Sequence, residues 1–204
     1  MRDRPRTQAE RAERTREALI AAARPLFATH GYAEVAAETI VADAGVTRGA
    51  MYHHFADKTE LFAAVFERVE AEVSVRIAEA AAAAQQSDPV ELMRVGAHEW
   101  LDACADPEIH RIVLLEAPAV LGWSRWSDVA NRYNIGLVRA LLEQAIELGR
   151  IPSQPIDATA HTLLGAVREA ALYLVRASDQ EIARAEVGAV IDRMIAGLAT
   201  GSNP

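Results

Sequence analysis

Ala44-Gly45-Val46-Thr47-Arg48-Gly49-Ala50-Met51-Tyr52-His53-His54-Phe55 is the stretch that decides the fold of this 204-residue chain. Gly45 stands between two short segments of helical periodicity, near 36–43 and 48–54. The turn there needs a positive φ, which a side chain resists. Ile40 and Val46 are the apolar contacts expected to fix the angle between the two helices, and Thr47 the residue that caps the second. The result is a helix-turn-helix, whose short second helix can present its N-terminal face and exposed side chains to a major groove.

On both sides of this stretch, helix punctuation recurs and strand alternation does not. Thr7 with Glu10 forms a capping box for a helix to about His30, which Gly31 ends as a left-handed residue. Leu19, Ile20, Ala23, Leu26 and Phe27 form its buried face, and Pro25 predicts a local bend. Asp57 with Glu60 opens a long helix to about Ala84, striped by Leu61, Val65, Phe66, Val69, Val73 and Ile77. Asp88-Pro89 with Glu91, and Asp106-Pro107, start further helices. Pro118 is expected to break the chain before a helix over 123–148 closed by Gly149. After a loop over 150–155, helices near 157–177 and 179–198 follow, the last capped by Ser178 with Glu181. The terminal Gly-Ser-Asn-Pro is expected to fray. The fold class is all-α, with about nine helices.

Composition supports this and narrows the function. Alanine, the best helix former, fills 42 of the 204 positions, while aromatic residues are 5%. A single cysteine, Cys104, excludes an intramolecular disulfide. The polar stretch from Met1 to Arg16 lacks the apolar region of a secretory leader. No uncharged stretch approaches the ~18–20 residues of a membrane span. A soluble cytoplasmic protein without membrane partners is expected. The net charge of −8 argues at first against nucleic acid. Residues 1–60, however, hold nine basic and nine acidic residues, and the remainder holds 12 and 20. The acidity therefore belongs to the C-terminal part.

The string from Ala44 to Phe55, followed by Lys58 and Leu61, resembles the signature of the TetR family of bacterial transcriptional regulators. Ala22, Leu26, Phe27, Gly31 and Tyr32 match that family's first helix. The resemblance implies a helix-turn-helix DNA-binding domain over 1–56, with an Arg-rich arm at 1–7. It also implies a ligand-binding and dimerisation domain over 57–204. Where the family commonly has a Thr-Thr or Thr-Ser pair before the second helix, this chain has Val35 and Ala36, neither of which caps.

The expected DNA-binding residues are Thr47, Arg48, Gly49, Ala50, Tyr52, His53, His54 and Lys58. Thr47 and the first backbone N–H groups suit a phosphate or a base edge. The guanidinium of Arg48 matches guanine O6 and N7, and Ala50 a thymine methyl. Gly49 and Ala50 permit close approach. Tyr52 and His54 resemble the family's phosphate-contacting pair, and His53 occupies a variable groove-facing position. Lys58 lies beside a helix start that already favours an anion. The arginines at 2, 4, 6, 11, 14 and 16 form either a DNA-contacting arm or a solvated tail. Met51 and Phe55 are core.

For the C-terminal part the resemblance implies a homodimer and a small-molecule effector of unknown identity. Leu163, Leu164, Val167, Ala170, Ala171 and Leu174, with Val187, Val190, Ile191 and Met194, are the dimer candidates; an intramolecular core is the competing reading. The concentration of Trp100, Cys104, Leu121, Trp123 and Trp126 suggests a cavity wall, and plain packing explains it equally. Tyr133, Arg168, Glu169 and Tyr173 either offer polar groups to a ligand or serve at the surface and in salt bridges. No cofactor is implied. An activator of the same fold is one alternative to a repressor. A small helical metalloenzyme is another, but His98-Glu99-Trp100-Leu101-Asp102 has Asp102 where a zinc helix needs its second histidine.

Overall fold

The computed structural model describes residues 7–199. Arg2, Arg4, Arg6 and the terminal Gly-Ser-Asn-Pro lie outside the described residues. Nine helices and no strand occur among those described. They are α1 (Gln8–His30), α2 (Ala37–Asp43), α3 (Arg48–His54), α4 (Lys58–Ala83), α5 (Pro89–Cys104), α6 (107–121), α7 (Trp123–Glu147), α8 (Ile156–Arg176) and α9 (Gln180–Ala199). The chain divides into two compact units, 1–69 with 111–126, and 70–110 with 127–204.

In the first unit, α1 opens on the expected capping box. Thr7 Oγ1 accepts from Glu10 N at 3.2 Å, and Glu10 Oε2 accepts from Thr7 N at 2.7 Å. Arg11, Arg14 and Arg16 therefore stand on a helix rather than in a free arm. α1 runs unbroken past Pro25, which lies on its exposed side. Gly31 ends α1, but not as a left-handed residue. Its φ of 80° and ψ of 162° lie in a region open essentially to glycine alone. An added Cβ would also meet Glu116 Oε1 at 2.6 Å. α1, α2 and α3 pack on one another around Leu19, Ile20, Phe27, Ile40 and Met51, all at most 3% exposed. Phe27, Tyr32 and Phe62 form a ring cluster, with Phe27 edge-on to Phe62 at 5.2 Å between centroids.

Pro118 does not break the chain. α6 is α-helical over Pro107–Ile109, π-helical over His110–Glu116 and α-helical again over Ala117–Leu121. Pro118 sits in the first turn of that last segment, where a missing N–H is tolerated. In the π register Pro118 would pair with the carbonyl of Val113. That oxygen instead accepts the indole Nε1 of Trp126 at 3.2 Å. The actual break is at Gly122, with φ of 75°.

The second unit is built from α5, α8 and α9, which pack pairwise, together with parts of α4, α6 and α7. Asp88 caps α5, accepting from Val90 N at 3.0 Å, with Pro89 in the first turn. Glu91 turns to Arg94 at 2.8 Å instead of completing a box. α9 is capped by Asp179, which accepts from Ile182 N at 3.0 Å, and not by Ser178. The carboxylate lies one residue nearer the helix and also suits its dipole. Arg94, His98 and Asp102 on α5 face Asp192, Gly188 and Arg184 on α9. Arg94 Nε lies 3.0 Å and His98 Nε2 2.8 Å from Asp192 Oδ1, and Arg184 Nε lies 2.5 Å from Asp102. The first of these bonds, with help from His98, holds the Asp192 carboxyl down at about 2. Arg184 Nη2 approaches His98 Nδ1 at 3.0 Å. A guanidinium only donates, so Nδ1 carries the lone pair and Nε2–H donates to Asp192.

Among the described residues, Glu70 on α4 is the charged side chain that the interior encloses, at 2% exposure. Asn134 Nδ2 on α7 donates to it at 3.1 Å. Burial outweighs that bond and pushes its pKa up to about 7. In the unfolded chain the carboxyl ionises near 4.5. The folded state thus keeps a proton that the unfolded state releases between those values, and stability falls as pH rises through that window. Glu70→Gln is expected to flatten the pH dependence of the urea midpoint there. Above pH 7 it should stabilise the protein by up to about 3 kcal/mol, since a tenfold change in proton affinity is worth about 1.4 kcal/mol. An unchanged profile would mean that Glu70 ionises as an exposed carboxyl does.

Candidate nucleic-acid interface

Three local features build the surface around α3. Gly45 takes φ of 65° in the turn, and nothing lies within 4 Å of an added Cβ, so conformation rather than space requires the glycine. Thr47 caps α3, its Oγ1 accepting from Ala50 N at 3.2 Å. Met51 and Phe55 are buried at 0% and 5%. Fixing that apolar side turns Arg48, Gly49, Tyr52 and His53 outward; all four are exposed, with Tyr52 at 43%. His54 and Ala50 are half-buried. The His53 and His54 rings meet edge-on at 5.3 Å. Gly49 is open on its outer side, where a Cβ would meet nothing closer than Thr47 Oγ1 at 3.9 Å. The surface thus combines a guanidinium, a phenol and an imidazole around a helix face without bulk.

Two of the expected residues have partners that sequence reasoning missed. Arg48 Nη1 is paired with Glu38 Oε1 on α2, and its guanidinium carbon lies 5.5 Å from the Tyr52 ring centroid. Lys58 Nζ donates to the backbone carbonyls of Tyr32 at 2.8 Å and Val35 at 2.9 Å, and lies 4.1 Å from the Tyr32 centroid. α2 starts after Ala36, its N-cap residue, without a side-chain cap, as Val35 and Ala36 foretell. Lys58 secures the loop at that uncapped start and keeps one further N–H to donate. Asp57 caps α4 at 2.9 Å, while Glu60 takes Arg125 in a two-pronged pair at 2.5 and 2.8 Å. That pairing lowers the Glu60 pKa.

The cavity candidates are distributed between the two units. Leu121, Trp123 and Trp126 belong to the first, Trp100, Cys104 and Tyr133 to the second. Trp126 is buried, and Trp123 is 65% exposed with its ring 4.9 Å from that of Trp126. Cys104 is 1% exposed, and burial pushes its thiol pKa far up, so it is not a reactive thiolate. Glu169 and Tyr173 lie with Ala170, Val187, Val190, Ile191 and Met194 along one open groove of about 440 Å³ between α8 and α9. Ala171, Leu174, Val187 and Ile191 are buried within the unit, Val190 and Met194 are exposed, and Leu163, Leu164 and Val167 are half-buried. His98, the start of the zinc-like string, is engaged by Asp192. Among the described residues no three His, Cys, Asp or Glu side chains are placed to hold a metal ion, and no helix is long and apolar enough to cross a membrane.

A capped seven-residue helix presented by a glycine turn against a three-helix core defines a helix-turn-helix DNA-binding protein. Residues 19–65 match the model of bacterial regulatory proteins of the tetR family, and residues 90–198 that of the tetracyclin repressor-like C-terminal domain. The chain belongs to the TetR family of transcriptional regulators, a non-enzymatic family. It is similar to a TetR-family regulator from Pectobacterium atrosepticum, with 34% identity and a TM-score of 0.80 over 97% of this chain and all of that one. The Tn10 TetC protein of Escherichia coli is 26% identical over 158 residues, 78% of this chain and 79% of that protein. The repressor BepR of Brucella suis is 46% identical over 63 residues, about a third of each chain.

Lys58→Ala is expected to destabilise the protein with no DNA present, because two charge-assisted hydrogen bonds are lost. Together they contribute about 3 kcal/mol, read as a lower urea midpoint. A lysine that served phosphate alone would leave the DNA-free midpoint unchanged.

Proposed function

We propose that this regulator is a homodimeric, ligand-responsive repressor that leaves a near-palindromic operator when a small, largely apolar effector binds. The observation that carries the reading is the outward face of α3, where Arg48, Tyr52 and His53 surround an exposed Gly49 that the fold does not require. Thr47, Ala50 and His54 complete the surface, with Arg48 reading a base and Tyr52 and Lys58 anchoring phosphates. BepR, named a repressor, supports the direction of control.

The α8–α9 groove supports the dimer. Its exposed Tyr173, Val190 and Met194 form an apolar patch of the kind that marks an interaction surface. We assign Glu169 and Tyr173 to this face, and keep Trp100, Cys104 and Tyr133 as the candidates for the effector site in the second unit. The effector acts only if it binds the released state better than the DNA-bound one.

A gel shift of the full chain with the DNA upstream of its own gene tests the reading. The expected result is a salt-sensitive, sequence-preferring complex. Tyr52→Phe should weaken it about fivefold on every sequence, the loss of one hydrogen bond, whereas Arg48→Ala should relax preference at one position of each half-site. Val190→Glu should convert a sedimenting dimer to a monomer. A wild-type protein that sediments as a monomer at all concentrations would remove the dimer from this account.

A further inference from the structure

We propose that Glu38 is a specificity-determining residue of the DNA-binding surface: from α2, its carboxylate holds the Arg48 guanidinium where it can read a guanine edge and keeps it off the phosphates. This deepens the reading above and rests on Arg48 being the base reader.

The geometry gives Arg48 two restraints. Glu38 Oε1 engages Nη1 across the Gly45 turn, and the Tyr52 ring lies beneath the guanidinium carbon at 5.5 Å. An arginine side chain has many rotamers to lose on binding, and an anchored one has lost part of that freedom before DNA arrives. Nη1 is the atom engaged, so Nη2 and Nε remain to donate two parallel hydrogen bonds to guanine O6 and N7.

Stability does not account for the pair. Both side chains are 62% exposed, and pairs so exposed contribute little to stability. Placing a carboxylate beside α3 instead repels a backbone that carries one charge per ~1.7 Å of duplex. That cost falls on every sequence alike. An unanchored arginine on this face would find a phosphate on any duplex. Neutralised by Glu38, its charge attracts phosphate less while its hydrogen-bonding fork is undiminished. The pair thereby trades general affinity for discrimination, a repulsive element of the sort that specific binders use.

The experiment selects duplexes from a pool with a randomised core, using the full-length wild type, Glu38→Ala and Arg48→Ala. It then measures each protein on the wild-type-selected duplex and on a scrambled duplex over a range of salt. Thermal melting confirms that these exposed substitutions leave the fold intact. The wild type should select guanine at one position per half-site, and Arg48→Ala should lose that choice. Glu38→Ala should relax the same position, roughly tenfold in discrimination. It should also bind the scrambled duplex more tightly, with the slope of log K against log salt steeper by about one per recognition helix. If Glu38→Ala keeps the wild-type motif while Arg48→Ala loses it, Glu38 has no such role and Arg48 remains the reader. If Glu38→Ala changes a position that Arg48→Ala leaves alone, Glu38 reads its own base and the holding role falls. If Arg48→Ala keeps the motif, or the wild type selects none, the assignment of Arg48 falls and that of Glu38 with it.

Discussion

A seven-residue helix does not hold its shape in water, because nucleation costs more than so few hydrogen bonds return. α3 exists because its inner side is nailed down. Met51 is fully buried, Phe55 nearly so, and the Thr47 hydroxyl closes its first turn. The chain on which these residues rest is held by the Phe27–Tyr32–Phe62 rings and by the Lys58 ammonium over the Tyr32 and Val35 carbonyls. The outward residues have a fixed direction only because the inward ones have no freedom. Recognition and packing are two sides of one short helix, and a change on either is felt on the other.

The two units solve packing with different residues. All four phenylalanines, 27, 55, 62 and 66, are buried in the first, each adding a large apolar area. The second buries no phenylalanine and is filled by aliphatic side chains such as Leu101 and Leu142, both 0% exposed, with Ala103, Ala145, Ala160, Ala171 and Ala183 at most 3% exposed between them. Aliphatic side chains offer no hydrogen bond to a buried polar group. Glu70 shows this, with a single amide donor against nearly complete burial.

Helix starts were legible in the sequence wherever the cap is local. Thr7 with Glu10, Asp88 before Pro89 and Asp106 before Pro107 each act within four residues of themselves. Gly45 was legible for the same reason. Reading failed where a local signal met a distant partner. Pro118 reads as a break, yet the indole of Trp126 takes the carbonyl that the proline cannot serve. Glu60 and Glu91 sit correctly for capping boxes, but an arginine outcompetes the backbone N–H in each case. The outward face of α3 was visible in the string from Ala44 to Phe55. Glu38 and the Tyr32 carbonyl were not, because no periodicity links a side chain to a partner ten or 26 residues away.

The facing rows on α5 and α9 act as a key with one register. Arg94, His98 and Asp102 meet Asp192, Gly188 and Arg184, with charge signs reversed from one end to the other and a gap in the middle. The gap is needed: a Cβ at 188 would come within 2.9 Å of both the His98 ring and the Arg184 guanidinium. Sliding α9 by one turn in either direction would separate both end pairs together and put a side chain where the imidazole now sits. The helix therefore has a single favoured axial position, and a shift of even one turn, about 5.4 Å, is opposed by charge at the ends and by bulk at the centre.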